Sequence, residues 1–542
     1  MRKSFVTAAA MASCVCAVAV AKPVSELTFD ASKGVAGSVT TPMGKVVNYT
    51  AYTKLYYVTN VEDSTYQYMN IFVPEGADQS SPIFMPNYVG GYMAAEPRGI
   101  DAGDASGRAL AEGYVVAIPG ARGRNSVVTD ADGNKVYTGR APKGLLDLKA
   151  AVRYLRLFDK EIPGDAEKII TDGTSAGGAM SSLLGATGNN PAYDKYLKAM
   201  GAADTRDDIF AAVCFCPIID LDHADMAYEW LYGCTNNVSR PVTDEQAAVS
   251  AELAAQYPAY LASLNLKTAD GTPLTADNYL NYVKSFLIQS AQEAKDAGAD
   301  IPDSLGFSFS NAKSFSAPVN GGESGPGPGG PGGSRPPMGE GMQPPSGGMP
   351  PMGDRQGPPM GRPGDGGPGE GGFTPAILNI MKSMKGEYIT DLDMETYLNY
   401  VVSTIALKTP PAFDSQGVAG ASASGENEEF GDATGSSVNF TDYSLRKVTG
   451  DASATVDAHI AELVRIMNPM NFITDANSSV APHWYIRHGA RDRDTAFTVP
   501  INLATKLQNA GKDVNFKLPW NRPHSGDYAL NELFTWLNAL VK

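Results

Sequence analysis

Lys168-Ile169-Ile170-Thr171-Asp172-Gly173-Thr174-Ser175-Ala176-Gly177-Gly178-Ala179-Met180 is the stretch on which the reading of this chain turns. Residues 168–171 are a short apolar and β-branched run, which suits a strand. Residues 176–180 are small and open a helix. Between them stands Gly-Thr-Ser-Ala-Gly, a G-x-S-x-G pentapeptide. That pattern alone is common in glycine-rich chains, but the strand before it and the helix after it give it meaning. A serine at so sharp a turn has strained backbone, and its neighbours two residues either side must be nearly free of side chain. Gly173 and Gly177 meet that need. Ser175 is therefore the candidate nucleophile. The amide of Ala176, at the positive end of the helix, is a candidate donor to a developing oxyanion.

Working outward, strands are expected at 54–59 and 66–73 as an antiparallel pair, then at 82–86, 114–118, 168–171 and 211–216. A helix is expected over 142–158, with Leu145, Leu148, Val152 and Leu155 on one stripe. The alternation stops near residue 220. It resumes with strand 484–488, helix 495–510, strand 514–518 and helix 527–540, the last carrying Leu530, Leu533, Phe534 and Leu537 on one face. Strands alternating with helices predict a mostly parallel sheet with helices on both faces. With the serine turn, this is the α/β-hydrolase fold. The expected organisation is a leader over 1–21, the first part of the core over 22–220, and a large, mainly helical lid insertion over 221–464. The second part of the core follows over 465–542. Within the insertion, 317–372 is almost wholly Gly and Pro with Ser, Met and a few charges, and has no strict Gly-x-y period. Such a composition cannot offset its chain entropy and is expected to be a disordered loop of polyproline character.

The fold assigns the remaining catalytic groups by chain order, serine then acid then histidine. Of five histidines, His223 comes too early, His459 lies in a helical stretch, and His483 and His488 bound a strand. His524, in Pro523-His524-Ser525-Gly526-Asp527 between the last strand and last helix, hangs where the base must. The acid belongs after strand 484–488, where Gly489-Ala490-Arg491-Asp492-Arg493-Asp494 offers two aspartates. Spacing does not choose between Asp492 and Asp494. The second oxyanion donor is expected from Asn87-Tyr88-Val89-Gly90-Gly91-Tyr92, at the amide of Gly90 or Gly91.

A formal net charge of −16 argues against nucleic-acid or anionic-membrane partners, since both need basic patches. Arg2 and Lys3 precede an apolar run to Val20, with Ala19-Val20-Ala21 as a small-x-small cleavage site, so export to the periplasm or beyond is expected. Lipidation at Cys14 is a minor alternative. No later stretch is apolar and long enough to span a bilayer, so no stable membrane insertion is expected. Cys14 and Cys16 leave with the leader. Cys214, Cys216 and Cys234 make no disulfide framework. Cys214 and Cys216, two apart on one strand, are expected on one face as buried small apolar groups. No metal cluster of sensible spacing occurs, and no cofactor is implied.

With these residues placed, the chain resembles the bacterial tannases, the α/β-hydrolases that act on galloyl esters. The similarity runs across nearly the whole mature chain except the Gly/Pro-rich insert. It is carried most specifically by GTSAGG (173–178), KTPPAFD (408–414), ENEEFG (426–431), RHGARDRD (487–494), ATKLQNAG (504–511) and PWNRPHSGDY (519–528). The resemblance implies that Asp492 is the triad acid and that Asp494 binds the ring hydroxyls of gallate. It implies the same hydroxyl-binding role for Lys408 and Glu426. The loop between those two is a few residues longer than the family's, which leaves Glu428 and Glu429 as alternatives to Glu426. Fungal tannases and feruloyl esterases place cysteines beside the serine and histidine. Here the neighbours are Thr174 and Ser525, so the fungal branch is excluded. The implied partner is a small polyphenol ester. A broader phenolic or simple acyl esterase would share the core motifs and lack only the trio. A prolyl-oligopeptidase-type peptidase would need a propeller for which residues 22–80 are too few. A non-catalytic binding protein would lack one of Ser175, Asp492 and His524.

Overall fold

The computed structural model describes residues 24–311 and 387–541. The expected leader, with Cys14 and Cys16, and the 317–372 insert lie outside the described residues.

Thirteen strands occur among the described residues. They are β1 (Val35–Thr40), β2 (Val46–Tyr56), β3 (Tyr68–Pro74), β4 (Pro82–Pro86), β5 (Val115–Pro119), β6 (Val127–Thr129), β7 (Lys135–Tyr137), β8 (Asp165–Thr174), β9 (Ala211–Phe215), β10 (Phe307–Asn311), β11 (Glu387–Leu392), β12 (His483–Arg487) and β13 (Asp513–Lys517). Nine form the main sheet, in the order β1-β2-β3-β5-β4-β8-β9-β12-β13. β1, β2 and β3 pair antiparallel, as does β3 with β5. From β5 through β13 every neighbour is parallel. The sheet is therefore mostly parallel, as expected. The first antiparallel pair runs earlier than the sequence suggested: β2 covers Val46–Tyr56 rather than 54–59, and β1 adds an outer strand. β1 is the edge strand and β2 its neighbour, and both are largely solvated, so their apolar pattern is weak.

Helices cover both faces. On one, α1 (Ala105–Ala111) and the helix Leu530–Val541 pack with Phe84, Val116, Val213 and Phe215 of the strands. Of the stripe read from the sequence, Leu533, Phe534 and Leu537 are fully buried there and Leu530 is half-buried. On the other face lie α2 (Lys143–Leu157) and α3 (Ala176–Ala186). Gly185 of α3 sits so close to the sheet that a Cβ on it would come within 2.6 Å of the Trp484 ring and 3.0 Å of Ala212.

Alternation along β9 shows the two faces. Ala212 and Cys214 face α3, where Ser182 Oγ donates to Cys214 Sγ at 3.3 Å. Val213 and Phe215 face the C-terminal helix. Cys216 was expected to share the face of Cys214, and it does not. Its backbone turns to a φ of +45°, which ends the alternation and carries the thiol to the hydroxyl of Tyr528 at 3.0 Å, beside Phe215. Both thiols are free and buried, and burial pushes both upward.

After α4 (Asp194–Met200), the described parts of 221–464 are mainly helical, including α5 (Leu221–Tyr232) and the helices Tyr279–Asp296 and Met394–Thr404. Residues 24–310 and 388–541 form one compact unit. Among the described residues no helix is long and apolar enough to cross a membrane.

Candidate active site

Ser175 stands between β8 and α3 with φ +63° and ψ −122°, a backbone conformation that L-residues rarely adopt. Its amide donates to Phe215 O at 2.9 Å, and its carbonyl accepts from Ile218 N at 3.2 Å and Ala179 N at 2.9 Å. The neighbouring glycines are required by contact. A Cβ on Gly173 would lie 2.3 Å from Gly177 O, and one on Gly177 would lie 2.8 Å from Val89 O. Ala176 is the first residue of α3, so its amide has no acceptor within the helix.

The loop after β4 lies against this turn. Asn87 Nδ2 donates to Asp172 O, Gly177 O and Ser181 Oγ at 3.0–3.1 Å. Beyond it the chain makes a tight turn, with Met93 N donating to Gly90 O at 2.9 Å and both Gly91 and Tyr92 at positive φ. Gly90 and Gly91 are exposed, and among the described residues no backbone acceptor takes either amide. Asn87 and Val89 of this loop lie against the serine turn, and Gly90 and Gly91 follow directly in the chain.

Asp492 and His524 are hydrogen-bonded: Nδ1 of the imidazole donates to Oδ2 at 2.7 Å. Asp492 is fully buried. Its Oδ1 accepts from Asp494 N at 2.8 Å. Burial opposes its ionisation, but the histidines at 488 and 524 and the hydrogen bond from His524 outweigh it and hold the carboxyl at about 2. For His524, burial favours the neutral ring. The hydrogen bond and the charges of Asp492 and Asp494 prevail and raise it above its ordinary value, while Lys408 works against them. The two loops touch through backbone: Arg491 N donates to Arg522 O, and Ala490 N to Pro519 O. The His524 loop reaches the serine turn as well. A Cβ on Gly526 would strike Thr174 Oγ1, and Cys216 Sγ donates to Ser525 O at 3.2 Å.

Asp494, which spacing could not separate from Asp492, is placed differently. It is half-buried, pairs with Arg493, and its Oδ2 lies 3.5 Å from His524 Nδ1. Lys408 follows the helix Met394–Thr404, with its ammonium 4.1 Å from the centre of the Phe413 ring. Tyr228 on α5 joins these two segments, accepting from Lys408 N and donating to Arg493 O. Tyr232, one turn on, donates to Asp492 O.

The three glutamates are also distinguished. Glu428 pairs with Arg124. Glu429 is fully buried and held well above the ordinary carboxylate range by burial. Glu426 is half-buried, with no side-chain hydrogen bond or ion pair among the described residues, and its charge acts on Tyr92 beside the glycine loop. Its helix, Gly425–Glu429, is tied to the 408–414 segment: Asn427 Nδ2 donates to Asp414 Oδ1 at 2.7 Å, and Ser424 Oγ at the helix N-cap donates to Phe413 O.

Several residues that shape the site escaped the sequence reading. Asp225 of α5 accepts the amides of Phe413 and Asp414, and burial pushes it up to about 7. Asp414 takes the amides of Phe440 and Thr441. His488 is buried 3.4 Å from Asp492, with neither ring nitrogen hydrogen-bonded. Asp414 and Asn427 both lie inside quoted motifs, and an internal Asp and Asn in two loops was the available signal. Among the described residues, three clusters have the spacing to hold a metal: Asp492–Asp494–His524, Cys216–His488–Asp492 and Asp220–Asp222–His223. In the first and third the histidine is already engaged with carboxylates.

Solved structures with this architecture include a tannase from Fusobacterium nucleatum, 34% identical with a TM-score of 0.72, covering 95% of this chain and 100% of that one. They also include a tannin acyl hydrolase from Lactobacillus plantarum, 35% identical with a TM-score of 0.73, covering 95% and 98%. A third, at 35% identity and a TM-score of 0.73 over the same shares, is a tannin acyl hydrolase in complex with ethyl gallate. The chain belongs to the bacterial tannase family. A family model described as BD-FAE matches residues 69–258 of this tannase-family hydrolase. That span holds β4, the glycine loop and Ser175, and stops before Lys408, Glu426, Asp492 and His524. No curated protein sequence matches.

Proposed function

We propose that the protein is a serine esterase that hydrolyses galloyl esters through an acyl-enzyme. The observation that carries this is a serine held at positive φ on a turn against which the loop of a hydrogen-bonded histidine–aspartate pair packs, in a chain one-third identical to tannases along 95% of its length. His524 takes the proton of Ser175 as Oγ attacks the ester carbonyl, and returns it to the leaving alcohol. Water then repeats the sequence on the acyl-enzyme. Asp492 holds the imidazole tautomer and stabilises the imidazolium. The amides of Ala176 and of Gly90 or Gly91 receive the oxyanion.

Lys408, Glu426 and Asp494 confer the galloyl preference. Adjacent phenolic hydroxyls both donate and accept, so two carboxylates and an ammonium match them. An ester without hydroxyls leaves those charges unsatisfied and is selected against. The described helices of 221–464, one of which carries Tyr228 and another Glu426, serve as the substrate-covering lid. The leader over 1–21 directs export. Comparing kcat/KM on propyl gallate, ethyl ferulate and p-nitrophenyl butyrate tests this reading. A preference for gallate supports it. A preference for butyrate replaces it with a general esterase.

A further inference from the structure

Arg124 belongs to no motif, yet it touches both halves of the site. It lies five residues beyond β5. Its own amide donates to Tyr92 O at 2.8 Å, and its Nε donates to Gly91 O at 2.8 Å. Its Nη1 pairs with Glu428, two residues from Glu426 on the helix Gly425–Glu429. Gly425 leaves the room for this, since a Cβ there would come within 3.1 Å of Arg124 Nε.

The guanidinium is a rigid planar fork, so its donors keep fixed relative positions. One nitrogen holds the glycine turn and another holds the glutamate helix. In a trans peptide the carbonyl and the following amide point in opposite directions. Met93 N anchors Gly90 O and so aims the Gly91 amide, while Arg124 on Gly91 O fixes the next peptide plane, so that both peptides of the turn are held in place. Resting on the function proposed above, we propose that Arg124 is a positioning residue. It fixes the oxyanion loop and the Glu426 helix to each other, so that ring recognition and carbonyl polarisation occur in one register. As a plain surface ion pair, with Glu428 well exposed, the contact would add little to stability. A stability role and a positioning role therefore predict different kinetics.

The test uses the full chain as wild type, Arg124→Gln, Arg124→Lys and Glu428→Gln. Steady-state kinetics are measured on propyl gallate and p-nitrophenyl butyrate, with Tm alongside. Arg124→Gln is expected to lower kcat about tenfold on both esters, as a slightly misplaced donor loop should, and also to raise KM for propyl gallate. Arg124→Lys keeps the charge opposite Glu428 but not the fork, so the gallate KM returns toward wild type while kcat does not. Glu428→Gln raises the gallate KM, with a smaller fall in butyrate kcat than Arg124→Gln. Unchanged kinetics, or a common fall on both esters with no change in either KM, overturns the proposal. If Arg124→Gln does not fold, the Lys and Glu428→Gln variants decide it by the same split. If wild type hydrolyses butyrate but not gallate, the galloyl reading has failed separately. The Arg124→Lys effect on butyrate kcat then decides the loop assignment alone.

Discussion

The serine turn and the 408–431 segment are held by opposite means. Around Ser175 the fit is backbone against backbone, with Gly173, Gly177 and Gly178 each so close to a carbonyl that no side chain could be added. Around Lys408 and Glu426 the backbone runs as loops and one five-residue helix, and side-chain groups hold it: Asp225, Asp414 and Asn427 each take or give several main-chain bonds. The first arrangement is rigid because nothing else fits. The second is rigid only while buried polar groups stay paired. In the proposed function, chemistry common to every ester is built the first way, and discrimination among esters is built the second way.

The largest effect should come from the first region. Ser175→Ala removes the nucleophile and is expected to cost about 10⁴ to 10⁶ in kcat, with Tm and ligand binding nearly unchanged. Residual activity above about a tenth of wild type would remove Ser175 from the role. Next comes Gly177→Ala. The added methyl must displace Val89 O and Asn87 Oδ1, and so the glycine loop. A shift of that size is expected to cost on the order of 10²-fold on gallate and butyrate alike. An effect confined to gallate would show that the turn and the ring-binding residues are not separable.

This contrast also explains what could be read in the sequence. Ser175, Gly173 and Gly177 were legible because their constraints are local, all within five residues of one turn. That His524 would meet an aspartate of the 489–494 loop was legible by elimination, and that the partner is Asp492 only by resemblance, because choosing between two aspartates needs the third dimension. One is sealed under Tyr232 and the His524 ring, while the other is part-exposed and paired with Arg493. Most parallel strands were found to within a residue at each end, since both faces are buried and their apolar runs are continuous, whereas β8 runs over Asp165–Thr174 rather than 168–171 because its ends carry polar residues and glycine. The outermost strands were misplaced because both are largely solvated. Cys216 was put on the wrong face because a period-two argument assumes extended backbone, and its φ is positive. Arg124, Tyr228 and Asp225 were invisible: each acts on partners at least 30 residues away in sequence, which periodicity does not reveal.

Within the second region the expected effects are smaller and selective. Asp494→Ala should lower kcat/KM on propyl gallate by about 10- to 100-fold, the loss of a charged hydrogen bond of roughly 1.5–3 kcal/mol. It should leave p-nitrophenyl butyrate far less affected. Lys408→Ala and Glu426→Ala should show the same selectivity, whereas Asp492→Ala should depress both esters. Equal losses on both substrates for Asp494→Ala would mean that its role is to support His524 rather than to bind the ring.

The smallest effect tests whether the two regions meet electrically at His524. The base must be neutral to accept the serine proton, so kcat/KM rises with pH through the imidazole's own titration. Asp492 and Asp494 raise that titration above the ordinary value, and Lys408 lowers it. Wild type should therefore gain activity only above the pH at which an unperturbed histidine would have lost its proton. Asp494→Asn removes a negative neighbour, destabilises the imidazolium, and should move the acid limb to lower pH. Lys408→Met removes a positive neighbour and should move it to higher pH. The measurement is kcat/KM against pH on p-nitrophenyl butyrate, whose acyl group carries no ring hydroxyls, so changes in ring binding do not enter. Raising ionic strength should shrink both shifts, since each charge is partly exposed and open to screening. Opposite displacements mean that the residues proposed to read the ring also bias the base. Displacements of the same sign, or none, would separate the two regions and leave the trio acting on substrate alone.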